Sequence, residues 1–157
     1  MRSTLLAALS LGLCVVSACS SDDHGDHDPE VNCDLETRAE PLVIGQPKAG
    51  VNNLYEFSFV DAVPSPPARG DNMWTLQITQ KASAAPLMNA ELFVTPYMPD
   101  HGHTSPIDVG VTIMPTAGQY ELEPVNLWMP GLWETTIEVL NGADTVESVV
   151  FKFCVPS

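Results

Sequence analysis

Met98, His101 and His103 fall within the run Met98-Pro99-Asp100-His101-Gly102-His103, and Met129 follows in Trp128-Met129-Pro130-Gly131. Thioether sulfur is a soft, neutral donor that suits Cu(I), and imidazole binds both Cu(I) and Cu(II). The chemistry these residues could do together is copper binding, with His101, His103 and Met98 as ligands and Met129 as a fourth. Pro99 and Gly102 favour a tight bend over a continued strand, which would turn the first three side chains toward one point. Trp128 would wall such a site from solvent, and Met114 is a more distant candidate.

The same residues admit a second account. Methionine is a common core filler, so Met98 and Met129 would pack beneath loops whose turns are set by Pro99 and Pro130. Those loops would then offer a protein-contact surface with aromatic anchors, in an interaction module of an envelope assembly that binds no metal. The histidines fit this account less well, because His-Gly-His between Asp100 and Thr104 has no apolar pattern to place it in a core.

Other chemistries find little support. The chain has no Gly-x-Ser-x-Gly elbow, no Ser-His-Asp order and no His-Glu-x-x-His pair, so an enzyme is not expected. Twenty acidic residues stand against six basic ones, a net charge of −14, with no Lys/Arg cluster. A nucleic-acid partner is excluded on that ground, since such affinity rests on neutralising phosphates. The acidity would concentrate cations or simply keep the protein soluble.

The elements that must position the site follow from the order of the chain. Met1-Arg2 and an apolar run from Leu5 to Val16 read as an export signal over residues 1–18, too short to remain as a membrane span. The ending Val16-Ser17-Ala18-Cys19 resembles the lipobox of bacterial lipoproteins, which implies cleavage before Cys19 and its acylation. Multiple acyl chains anchor a protein stably where one alone is marginal. Ser20 after the cysteine resembles an outer-membrane address, so the expected location is the cell envelope, lipid-anchored in the outer membrane and facing the periplasm.

Residues 19–50 read as an acidic tether and lead-in. The stretch Ser20 to Glu30 has no apolar side chain for a core, and its His24 and His27 could collect divalent ions weakly. With Cys14 in the signal and Cys19 acylated, Cys33 and Cys154 remain, and an exported compartment favours their pairing. Closing a loop of about 120 residues is worth roughly 4–5 kcal/mol in the chain-entropy account.

From residue 51 to 157 the pattern changes to short runs of period two. They are Leu54 to Val60, Met73 to Thr79, Ala90 to Thr95, Val109 to Met114, Gln119 to Val125, Leu132 to Leu140 and Val146 to Val155. About seven strands at this spacing predict an all-β domain, an immunoglobulin-like β-sandwich. In the sixth run Trp133, Thr135, Ile137 and Val139 share one face, and Asn141-Gly142 reads as a hairpin turn.

The motifs Met98-Pro99-Asp100-His101-Gly102-His103, Gly118-Gln119-Tyr120 and Met129-Pro130-Gly131-Leu132-Trp133 resemble the YtkA-like domain of exported bacterial proteins, related to the FixH family. The resemblance covers roughly residues 54 to 154. It implies the immunoglobulin-like fold and, through the family's genomic association with copper handling, a copper-handling partner in the envelope. Members often carry a second Met before the Gly-His, where this chain has Asp100-His101; the replacement keeps a potential ligand and changes its softness.

Overall fold

A computed structural model describes residues 30–157. The signal segment over 1–18, Cys19 and the His24/His27 stretch lie outside the described residues. Among the described residues there are nine strands, β1 (Lys48–Ala49), β2 (Tyr55–Val63), β3 (Gly70–Gln80), β4 (Glu91–Met98), β5 (His103–Thr104), β6 (Gly110–Ile113), β7 (Gln119–Leu127), β8 (Gly131–Asn141) and β9 (Asp144–Val155), preceded by a 3-10 turn at Cys33–Leu35. No α-helix is found among the described residues.

All seven runs read from the sequence are strands. The two additional ones, β1 and β5, are two residues long each, too short to show a period.

Two antiparallel sheets pack face to face, one ordered β1-β2-β3-β7-β6 and the other β5-β4-β8-β9. Alternation decides what lies between them: on β8, Trp133, Thr135, Ile137 and Val139 are buried while Glu134, Thr136 and Glu138 are only partly covered. Aromatic edges fill the centre, with Phe59 against Trp74 at 5.5 Å and against Phe151 at 4.7 Å between ring centres. Edge-to-face pairs of this kind add about 0.5–1.5 kcal/mol beyond the area they bury.

The β8–β9 hairpin closes one residue later than the sequence suggests. Leu140 pairs with Thr145 and Asn141 with Asp144, so the two-residue loop is Gly142-Ala143. A register shift at Val139/Leu140 absorbs Val146 as an extra residue, which moves the turn along the chain. Gly142 takes φ 65°, a value that needs no Cβ to be accommodated.

Strand directions sort the loops into two poles. Residues 64–69, 99–102 and 128–130 gather at one pole, whereas residues 50–54, 81–90, 114–118 and 142–143 gather at the other. The second pole holds the only charged side chain among the described residues that is fully buried, Glu147. Its carboxylate accepts the backbone N–H groups of Asn52 and Leu54 at 2.8 Å, Ser148 at 3.0 Å and Tyr55 at 3.4 Å. Burial alone would raise the pKa of this group, but the four N–H donors outweigh it and hold the carboxyl below its ordinary value. Gly50 has no side chain because a Cβ there would strike the Glu147 carboxyl.

The segment before β1 is tied down from both ends. Cys33 and Cys154 form a disulfide with their Cα atoms 5.5 Å apart, joining residues 121 positions apart. Downstream, Gly45 N–H donates to Phe59 O, and just past β1 Val51 N–H donates to Ser148 O. This strap is built from irregular backbone, and its position comes from those bonds rather than from any periodic pattern.

Candidate functional site

β4 delivers Met98 to the first pole, and the turn that follows is drawn back onto it. The Met98 carbonyl accepts both His101 N–H (3.2 Å) and Gly102 N–H (2.8 Å), while Gly102 takes φ 70°. The chain therefore reverses within four residues and returns as β5, where His103 lies opposite Met98 in the ladder. Directly opposed residues in an antiparallel pair project their side chains to the same face, about 4.5–5.5 Å apart at Cβ. Met98 and His103 are neighbours for that reason.

Met98 is 1 % exposed. Its methyl group rests against Gly131, where an added Cβ would come within 2.5 Å of it. The Met-Pro-Gly sequence of the second loop thus has a structural meaning: Gly131 takes φ 127°, which side-chain-bearing residues rarely adopt, and any Cβ there would push the Met98 methyl group aside.

His103 is half-buried and held by rings. Its imidazole stacks on Trp128 with centres 5.4 Å apart and planes 28° from parallel, and meets the edge of buried Trp133 at 6.3 Å. His103 Nδ1 lies 3.2 Å from the Thr104 carbonyl. A carbonyl can only accept, so in this contact Nδ1 is the donor and Nε2 is the ring nitrogen left to face a ligand.

His101 stands in solvent at the tip of the turn, and its ring centre is 5.7 Å from that of His103. With metal–nitrogen bonds of about 2.0–2.1 Å, two imidazoles on one ion have ring centres roughly 5–6 Å apart. The observed separation fits that requirement. Met98 and His101 also line one surface hollow of about 270 Å³, together with Leu35, Glu36, Asp100 and Pro130.

Asp100 is the hard donor nearest these groups, and Arg38 takes it. Arg38 Nη1 donates to Asp100 Oδ1 at 2.8 Å and Nη2 to Oδ2 at 2.7 Å, while the same guanidinium holds Glu36 at 2.6 Å. Hydrogen bonds from Arg38 keep both carboxyls below their ordinary pKa. Among the described residues, no group of three or more His, Cys, Asp and Glu side chains is placed to hold a metal ion. A centre here would have to be completed by thioether sulfur.

The remaining candidates separate. Met129 is half-buried and packs against the core, and its carbonyl accepts the Trp133 indole N–H at 2.9 Å. Trp128, 40 % exposed, is the face on which His103 rests rather than a wall over the whole site. Met114 lies at the other pole, in the turn where its N–H donates to Gln119 O. The length of β7, roughly 3.3 Å per residue along its nine residues, separates it from His103.

Arg38 is the residue that sequence reading passed over. It lies 62 positions from Asp100, in a segment without strand or helix pattern, and nothing in its local sequence marks the pairing.

Compared with known proteins, the sequence pattern of the YtkA-like family matches residues 51–138, more than half of the chain. The chain belongs to the YtkA-like family. The match runs from just before β2 into β8 and contains Met98, His101, His103 and Met129, whereas Arg38 and both disulfide cysteines lie outside it. No curated protein and no solved structure matches the chain. In this YtkA-like domain, then, the Met/His turn belongs to the family segment, and the Arg38 clamp comes from the strap that precedes it.

Proposed function

We propose that this YtkA-like domain is a copper-binding module of an exported lipoprotein, not an enzyme, and that it holds the ion with His101, His103 and the Met98 thioether. The observation that carries the reading is the 5.7 Å approach of the two imidazoles across a turn whose ladder sets Met98 beside His103. All three donors are neutral, and the nearby carboxylate is engaged by Arg38, a combination that suits Cu(I) better than a hard divalent ion. Met98, 1 % exposed, would coordinate from beneath the turn, and Met129, partly buried against the core in the second loop, is a reserve donor. The ion is cargo: a site on a surface turn can load and release it, as buffering or delivery to an envelope partner requires. The lipobox-like Cys19 supports a lipid anchor and Ser20 after it an outer-membrane address, where the acidic tether would let the domain reach such a partner.

Titration with Cu(I) under reducing conditions, against a chromogenic chelator, tests the reading. Wild type should take one equivalent at micromolar protein, and the His101→Ala/His103→Ala variant should lose it. Equal uptake by both proteins would sink the proposal and favour the alternative in which the exposed Trp128 and the loop around it serve as a protein-contact surface.

A further inference from the structure

The two flanks of the sandwich are finished differently. On the β9 flank, the carbonyls of Ser148, Val150 and Lys152 accept from Val51 N–H, Lys48 Nζ and Glu40 N–H, and Glu40 Oε1 accepts the Lys152 N–H. The strap thereby occupies that edge group by group.

Among the described residues, the β4 flank has no such cover of its backbone along most of its length. β4 pairs with β8 from Glu91 to Tyr97, but with β5 only at Tyr97 and Met98. Around it, Ala90 N–H donates to the Tyr120 hydroxyl, Pro96 O accepts Ser105 N–H, and Met98 O accepts the turn amides. The even-numbered residues therefore aim their backbone groups away from β8, as the alternation of an antiparallel ladder requires. Leu92 and Val94 lie between these anchored positions, and their outward N–H and C=O groups find no partner among the described residues. Pro96 ends the β5 ladder because it has no N–H to return.

Beside this free edge lies a hollow of about 200 Å³ lined by Phe93, Val94, Pro96 and Ile107, with Asp108 at its margin. Phe93 is 56 % and Ile107 42 % exposed. Proteins commonly blunt an open edge with lysine. Here no Lys or Arg occurs between Lys81 and Lys152, a stretch that contains β4, β5 and β6, and Glu91 and Asp108 flank the edge instead.

We propose that the free edge of β4 is a strand-addition site for an extended, basic segment of a partner protein. The segment would pair with the backbone of Leu92 and Val94, place one apolar side chain in the Phe93–Ile107 hollow, and set its cations against Glu91 and Asp108. A second copy of this chain is the poorer occupant, because each copy carries a net charge of −14 and brings the same acidic edge.

The test uses the full-length protein and three synthetic ten-residue peptides, read by amide hydrogen exchange. One alternates Lys with Val and Thr; one has Glu in place of Lys; one is the Lys peptide with every amide N-methylated, which keeps the charge and removes the donors. The first should slow exchange at Leu92 and Val94 by roughly tenfold or more, as closing an open edge does, and the other two should not. An Ile107→Asn variant, which removes the apolar contact at an exposed position outside the strands without adding charge, should bind the Lys peptide about tenfold more weakly with an unchanged melting temperature. Equal binding by the N-methylated or the Glu peptide overturns the proposal, as does unchanged affinity in Ile107→Asn. Protection of Leu92 and Val94 that appears without peptide and grows with protein concentration also overturns it, in favour of self-association.

Discussion

At one pole of the sandwich Glu147 is wholly buried and accepts four backbone N–H groups; at the other, Asp100 stands half-exposed in the histidine turn and both its oxygens are held by Arg38. The Glu147 constellation has no unused valence, and a ligand could enter only by breaking it. The Met98–His103 turn keeps the Nε2 edge of His103 and the exposed His101 imidazole without hydrogen-bond partners among the described residues. A saturated polar cluster stabilises a fold, whereas a cluster with free donors held at a fixed spacing can bind something.

Four sets of variants would break or sharpen that contrast. The largest effect belongs to Glu147→Ala, which removes the shared acceptor of four partly covered amides and should cost about 2–3 kcal/mol in chemical denaturation. Because the folded-state pKa of Glu147 is lowered, its contribution is fully present above the ordinary glutamate value of about 4.3 and is lost as pH falls through the lower folded value. Denaturation midpoints between pH 6 and pH 3 should therefore fall in wild type, and this component should be missing in Glu147→Gln.

Next comes the His101→Ala/His103→Ala pair. Copper affinity should drop by more than the roughly 10–100-fold that losing an outer partner of a ligand costs. Stability should change little, since His101 is exposed and His103 touches the core only at its margin. A smaller effect is expected for Met98→Leu. Conserving volume should keep the cost below about 1.5 kcal/mol, while calorimetry with Cu(I) should show about a tenfold loss if the thioether is a ligand. Unchanged affinity would return Met98 to the core alone.

Arg38→Met should have the smallest effect on the fold, because exposed ion pairs add little to stability. Its signature is in metal preference. Freed from its clamp, Asp100 becomes a hard anionic donor beside the histidines, so Zn(II) uptake should rise by a few-fold, and adding Asp100→Asn should abolish the rise. Equal Zn(II) binding by wild type and both variants would remove Arg38 from the site.

Much of this was legible in the sequence because it is local. Period-two runs give the seven long strands, the sixth run gives the buried face of β8, and two leftover cysteines give the disulfide. The turn at Met98 to His103 was also legible, since Pro99 and Gly102 interrupt the strand there. Trp128 was recognised as a neighbour of the site, although its contact is a stack on one ring.

What escaped depends on residues far apart in the chain. The Asp100 clamp joins positions 62 apart, and the Met98 methyl group meets Gly131 across the pole. The two-residue strands were invisible because a period cannot be read from two residues. The one-residue displacement of the β8–β9 turn arises from a bulge, which is a property of the paired strands and of neither alone.

The chain by itself determined that there would be two sheets, where they turn, and which soft donors lie in one turn, because alternation, proline and glycine act over a few residues. Tertiary structure alone decided that Met98 is buried under Gly131, that His103 leans on Trp128, that Arg38 holds Asp100, and that the β9 flank is covered while Leu92 and Val94 on the β4 edge find no backbone partner among the described residues. Those outcomes follow from the register between strands and the path of an irregular strap, and both are set by long-range hydrogen bonds and packing that no local pattern encodes.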